Sequence, residues 1–373
     1  MRLPRASSHR SHRLSLPPQV SPGAGEHGEL ELRIDQTRSA RDRQVHITHG
    51  TARCGYPVRP VSAVLTYSVG MAAVGIVVPV FNGLPWLHET ISSIRRQTYT
   101  DWRCVLVDDG SLDGSAAVCD EAAGADSRIR AVHQENAGGS AARNAGAAAV
   151  GECEFWSFMD ADDVWRPNAL ARLTSAARNP GVIGAHCLAE TIGTEGQTLT
   201  FGFTDFQRSR TRPGRRRFEP VPVAEPTTLD MALLINRVYP PAVLIARAET
   251  YRTAGPWDEK LALQQDGDMV LRLLEHGSLA FVDECLVGYR RHPANVSRDW
   301  ARNVAAWRAV HVAAFDRLTP SLGRRRLRAW WRQYERLKLA EAVAELPSRR
   351  GVARVAANTW RYARGWPSTS RFG

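Results

Sequence analysis

Phe155-Trp156-Ser157-Phe158-Met159-Asp160-Ala161-Asp162-Asp163 is the stretch on which the reading of this chain turns. Its first five residues have the apolar, aromatic character of a short buried strand. Three carboxylates follow, with Asp160 and Asp162 one residue apart. A strand ending in this way carries both acids to the carboxyl edge of a sheet, where open α/β sheets bind ligands. Hard oxygens there suit Mg2+ or Mn2+, ions that bridge a carboxylate to substrate phosphates. The plain alternative is an acidic turn in which Asp163 caps the next helix.

Working outward, strand and helix patterns alternate. Residues 74–80 form a continuous apolar run, as expected of a parallel strand covered on both faces. Leu87, Ile91 and Ile94 then repeat at helical spacing, and 104–107 is a second strand that ends in Asp108-Asp109-Gly110-Ser111. A helix is predicted at 115–123, a strand at 129–133 and an Ala-rich helix at 140–149. Beyond Pro167 the pattern predicts a helix, a strand at 182–187, a polar Arg-rich loop at 207–226, a helix at 228–236, a strand at 242–246 and a helix at 266–276. Such alternation implies a parallel sheet with right-handed crossovers.

The net charge of +11 is unevenly spread. Residues 1–70 carry +5 and residues 299–373 carry +11, which leaves 71–298 at −5. A nucleic-acid-binding core is expected to show a basic face, so no specific nucleic-acid partner is expected for the centre. Residues 1–60 lack periodicity and are expected to be disordered. Residues 62–86 carry no charge, but Ser62, Thr66, Ser68, Gly70, Gly75 and Pro79 dilute them. Their second half reads as a buried strand, not a membrane span. Six scattered cysteines without a C-x-x-C pair suggest a reducing, cytoplasmic compartment.

Five segments stand in order: Val78-Pro79-Val80-Phe81-Asn82, Val107-Asp108-Asp109-Gly110-Ser111, residues 136–146 with Gly138, Gly139 and Arg143-Asn144, the acids 160–163, and Gln265-Asp266-Gly267-Asp268 leading to Arg272. Together they resemble family 2 glycosyltransferases of the GT-A fold over about residues 73–298, and the tail Tyr289-Arg290-Arg291-His292 with Ser297 fits as well. The resemblance implies an α/β, Rossmann-like, mostly parallel central sheet flanked by helices. The catalytic domain would occupy 71–298, between a basic extension at 1–70 and a basic, Trp-rich helical region at 299–373.

What the resemblance implies for single residues is specific. Pro79, Phe81, Asn82, Asp109, Arg143, Asp160 and Ala161 would line a nucleotide-sugar site, with Asp109 facing a donor such as uracil N3 and Asp160 facing ribose. Asp162 would hold Mg2+ or Mn2+, with His292 completing that shell, and Asp266 would be the general base. Relatives have Glu-Asp where this chain has Gln265-Asp266, which retains the base and removes one charge. Other readings stay open: Asp109 as a turn residue, Arg143 on a helix surface, His292 in an ordinary loop, and Asp268 at a helix N-terminus through the macrodipole. Trp165 and Trp257 are candidates for a sugar face or for packing.

The expected reaction is inverting transfer from a nucleoside-diphosphate sugar to a hydroxyl of a glycan, lipid-linked or small-molecule acceptor. The C-terminal mixture of Arg324–Arg328 with Trp330 and Trp331 suits either an anionic membrane surface or tryptophans packed on the core. Rival classes are a silent nucleotide-sugar-binding module, a nucleic-acid or anionic-surface binder driven by the basic ends, and a dinucleotide oxidoreductase. The last lacks a glycine fingerprint after the first strand.

Overall fold

The apolar run of the first predicted strand lies in the middle of a nine-stranded sheet. The computed structural model describes residues 43–46, 64–67, 72–199, 203–208, 222–295 and 300–333. Two compact units divide the chain at Met71 and Ala72. In the first, β1 (Arg43–His46) pairs antiparallel with β2 (Val64–Tyr67). β1 falls in the stretch read from sequence as without regular structure; the rest of 1–60 lies outside the described residues.

The second unit runs β3 (Ala72–Val80), α1 (Leu84–Arg95), β4 (Trp102–Asp109), α2 (Ser115–Ala125), β5 (Ile129–Gln134), α3 (Gly139–Ala149) and β6 (Cys153–Phe158). It continues through β7 (Val164–Trp165), α4 (Ala169–Ala177), β8 (Val182–Ile192), β9 (Thr198–Leu199), α5 (Phe203–Arg208) and α6 (Leu229–Leu234). The remaining elements are β10 (Leu244–Arg247), α7 (Ala248–Ala254), α8 (Gln265–Leu274), β11 (Ser278–Arg290) and α9 (Trp300–Leu322). The sheet order is β5-β4-β3-β6-β10-β8-β11-β7, with β9 on β8. β5, β4, β3 and β6 are mutually parallel. β10 is antiparallel to both of its neighbours, and β8 and β11 are parallel again. This mixed sheet with flanking helices has the expected α/β architecture, but four of its strand pairings are parallel and four antiparallel, so it is less parallel than the resemblance implies.

Sequence explains the parallel half well. Val74, Ile76, Val77, Val78 and Val80 of β3 are fully buried, and burying each such side chain contributes about 1.5–3 kcal/mol relative to exposure. The α1 helix buries Leu87, Ile91 and Ile94 at the spacing that predicted it. Pro79 lacks an N–H, yet it costs no ladder bond on the β6 side, because that pairing ends at Val77.

The other half departs from expectation. β11 is 13 residues long and was not predicted. Asp283 and Glu284 interrupt its apolar alternation, and register shifts between Phe281 and Cys285 and between Cys285 and Val287 absorb them as bulges. α7 is one short helix that the pattern does not announce. The strand predicted at 242–246 starts later, because Pro241–Val243 form a 3-10 turn. The Arg-rich loop predicted at 207–226 lies largely outside the described residues.

At the C-terminal end, α9 is followed by a helical stretch at 324–333. Leu327, Trp330 and Trp331 are buried, and Trp307 stacks on His311 with ring centroids 3.6 Å apart. Packing on the core therefore accounts for both tryptophans, while residues 324, 325, 326 and 328 stay exposed. Trp165 and Trp257 are also buried packing residues, and the Trp165 indole donates to the Ala242 carbonyl at 2.8 Å. Among the described residues, no helix is long and apolar enough to cross a membrane.

Candidate active site

β6 delivers the acid turn. Its last residue is Phe158, and the Met159 amide closes on the Val77 carbonyl at 3.0 Å, so the carboxylates begin where the β3–β6 ladder stops. Oxygens of Asp160, Asp162 and Asp163 lie within 4.8 Å of one another. Burial pushes Asp160 above the ordinary carboxylate range, with the charge of Asp162 adding to it and Arg143 opposing. Asp163 is raised further, first by burial and then by its two acidic neighbours. Asp163 is not a helix cap: it is fully buried, accepts from the Arg290 amide at 3.1 Å, and the N-cap position of α4 is Asn168, whose side chain makes no capping bond.

His292 closes on the same point. Its Nε2 lies 2.7 Å from Asp162 Oδ2, its ring stacks on Trp86 at 3.9 Å, and the Asn295 side-chain amide approaches both groups. Asp163 Oδ2 and His292 Nδ1 are buried and have no hydrogen-bond partner among the described residues. Crowded carboxylates, one imidazole in contact with them and an unsatisfied carboxylate oxygen are what a divalent cation relieves. The donor set of oxygens with one nitrogen fits Mg2+ or Mn2+.

α3 connects this turn to α8. Gly138 has φ of 91°, which starts the helix without a side-chain cap, and Arg143 is buried one turn later. Its guanidinium donates to Asp160 Oδ1 at 2.6 Å and to Gln265 Oε1 at 2.9 Å, and it lies over the Trp257 ring at 4.8 Å. The surface-helix reading of Arg143 is thereby excluded. Asn144 exchanges hydrogen bonds with the Trp257 backbone, pinning the loop that leads into α8. Asp266, the second residue of α8, accepts from the Gly267 amide at 2.9 Å. It borders an apolar recess lined by Phe158, Tyr251, Trp257 and Met269. Burial raises its pKa above 3.8, and the charge of Asp160 adds to the effect. Asp268 instead pairs with Arg272 at 2.8 Å, one turn along the helix.

The ends of β3 and β4 form the neighbouring rim. Phe81 is 53% exposed, and Asn82 adopts φ of 51° while its side chain accepts from the Leu112 amide. Asp109 is buried, and its carboxylate accepts from Gln134 at 2.7 Å and from the Ala137 and Gly138 amides at 2.8 and 2.9 Å. Most of its acceptor capacity thus shapes the loop before α3. Ala161 lies in the acid turn, with its carbonyl 2.9 Å from the Thr90 hydroxyl. Sequence reasoning gave no role to Thr90, Trp86 or Arg290, which all touch the acid turn or His292. Thr90 looks like any residue of an amphipathic helix, and the strand that carries Arg290 was itself hidden.

Residues 75–228 match the family model described as Glycosyl transferase family 2. Glycosyltransferase GlyG of Streptococcus pneumoniae serotype 4 is 40% identical over 101 residues, which is 27% of this chain and 33% of GlyG. TuaG of Bacillus subtilis, named as a teichuronic acid biosynthesis glycosyltransferase, is 25% identical over 237 residues, 63% of this chain and 85% of TuaG. Among solved structures, mannosyltransferase PcManGT from Pyrobaculum calidifontis in complex with GDP-Man and Mn2+ superposes with a TM-score of 0.48 at 17% identity, covering 80% of this chain and 82% of that one. The chain spans only a third of GlyG, but the matched stretch contains the acid turn and the segments around Pro79, Asp109 and Arg143. Residues 75–228 of this chain are thus similar to glycosyltransferase family 2.

Proposed function

We propose that this protein moves one sugar from a nucleoside-diphosphate sugar, with a uridine donor the first choice, to an acceptor hydroxyl, inverting the anomeric carbon. The observation that carries this reading is the chain Asp160–Arg143–Gln265, which joins the acid turn to the residue before Asp266. A carboxylate for the donor side and one for the acceptor side then stand on segments linked through Arg143, which suits a one-step displacement.

Asp266 takes the proton of the acceptor hydroxyl. The acceptor oxygen bonds to the anomeric carbon as that carbon's bond to phosphate oxygen breaks, and the nucleoside diphosphate leaves. Burial that raises Asp266 makes it a stronger base than a free aspartate. Arg143 offers positive charge beside Asp160, and Phe81, Asn82, Asp109 and the Pro79 backbone frame the nucleoside side. Asp162, with Asp160 and Asp163 beside it and His292 in contact, would hold Mg2+ or Mn2+. When bound, the cation supplies Lewis-acid neutralisation of the departing diphosphate.

The acceptor class follows from the name of TuaG, which favours a cell-envelope glycan. The exposed arginines beyond α9 suit an anionic surface near such an acceptor. The test is a panel of uridine, guanosine and thymidine diphosphate sugars in a thermal-shift assay with and without Mn2+. One donor should raise the melting temperature in the presence of Mn2+, because a ligand that binds the folded state stabilises it by mass action. No shift with any donor overturns the reading.

A further inference from the structure

The acid turn is crowded on its front and strapped from behind. Thr90 and Arg290 are both completely buried. The Thr90 hydroxyl lies 2.9 Å from the Ala161 carbonyl and 2.8 Å from the Asp163 carbonyl. Arg290 Nε donates to the carbonyl between them, that of Asp162, at 2.8 Å, and the Arg290 amide donates to Asp163 Oδ1. Three successive carbonyls therefore face two side chains from α1 and the end of β11, with the single Thr90 hydroxyl proton shared between the outer two. The far end of the guanidinium is itself fixed, by the Gly193 and Thr194 carbonyls at 3.0 and 3.2 Å and by Glu89 at 2.5 Å.

This arrangement has a definite consequence for cation binding. Mutual repulsion of Asp160, Asp162 and Asp163 pushes their carboxylates apart, and an unsupported turn would splay and have to close again around each ion. A turn whose backbone is already fixed binds with less reorganisation. We propose that Arg290 and Thr90 are positioning residues that hold the acid turn ready for a divalent cation, touching neither the cation nor the substrate. The proposal rests on the metal-binding reading of the site above.

Binding of MnCl2 alone to the full-length protein, without nucleotide or acceptor, is the test. Free Mn2+ is followed by electron paramagnetic resonance in the wild type, Arg290→Lys, Thr90→Val and Thr174→Val. The last is a control, since Thr174 is an equally buried threonine whose hydroxyl serves only its own helix, α4. Arg290→Lys and Thr90→Val are expected to weaken Mn2+ binding about tenfold, the usual effect of removing a group that orients metal ligands. Thr174→Val is expected to bind as the wild type does. Equal Mn2+ affinity in Thr90→Val and the wild type overturns the proposal, and that variant decides the matter should Arg290→Lys fail to fold. A wild type that binds no Mn2+ overturns the metal reading itself, a different failure from unchanged affinity in the variants.

Discussion

The two halves of the sheet build the site in different ways. In the parallel half, β5-β4-β3-β6, each strand runs toward the same edge, so Asn82, Asp109 and the acid turn arrive there simply by following a strand end. In the mixed half, β10-β8-β11-β7, parallel and antiparallel pairings are combined, and Asp266 comes from a helix N-terminus and His292 from just past a bulged strand. The family match ends at residue 228, so the parallel half lies within it while Asp266 and His292 lie beyond it. Parallel topology makes a site by repetition; the mixed half must make its contribution through individual contacts, such as Arg143 to Gln265 and His292 to Asp162.

The sharpest way to break this comparison is to remove Asp266, the group proposed as the mixed half's contribution to chemistry. Asp266→Asn should lower kcat by about 10²–10⁴-fold, the usual worth of a general base, with the donor Kd almost unchanged. Full activity in that variant would remove Asp266 from the mechanism. The corresponding change in the parallel half, Asp162→Asn, should weaken Mn2+ affinity by about a hundredfold or more, since even groups one step removed from a metal are worth 10–100-fold. Calorimetric titration reads this directly, and intact Mn2+ binding would move the cation elsewhere.

A pH profile sharpens the same contrast. Burial raises Asp266 above the usual 3.8, so activity should fall on the acid side at a pH higher than a free aspartate would give. That limb should disappear in the residual activity of Asp266→Asn. Packing offers a comparison without chemistry. A Cβ at Gly146 would meet Val77 Cγ1 at 2.3 Å, the tip of a buried and stiff side chain, whereas one at Gly184 would meet the backbone itself, the Ile245 carbonyl oxygen at 2.2 Å and Ala246 Cα at 2.7 Å. Overpacking costs about 1–3 kcal/mol, so urea midpoints should place Gly184→Ala at or beyond the top of that range and Gly146→Ala below it. An equal loss would mean that the β8–β10 contact yields as readily as the α3–β3 contact.

The smallest effect concerns His133, which lies between Asp120 and Asp108 at 3.0 and 3.2 Å. Its pKa is raised above 6.5 by those two acids, Asp120 first. The pair therefore stabilises the fold fully below pH 6.5 and ceases to do so as pH rises through the elevated folded value. His133→Gln should cost at most about 1 kcal/mol at pH 6, as befits an exposed pair, and close to nothing at pH 9.

Much of this was legible in the order of residues. The runs at 74–80 and 104–107 are apolar because both faces of a parallel strand are covered, and the acids at 160–163 follow such a run directly. What stayed hidden was hidden for physical reasons. The bulges of β11 destroy its alternation, so the strand cannot be recognised in the pattern, and Arg290 stands out only as part of the tail beside His292, without a role. Asp163 in isolation is a reasonable helix cap; only the approach of β11, more than a hundred residues later, buries it. The chain by itself determined which chemistry is present, because carboxylates, glycines and apolar runs carry their properties wherever they lie. Tertiary structure alone decided which of those groups face one another, because a contact such as Arg143 with Gln265 spans 122 positions, and nothing local to either residue encodes it.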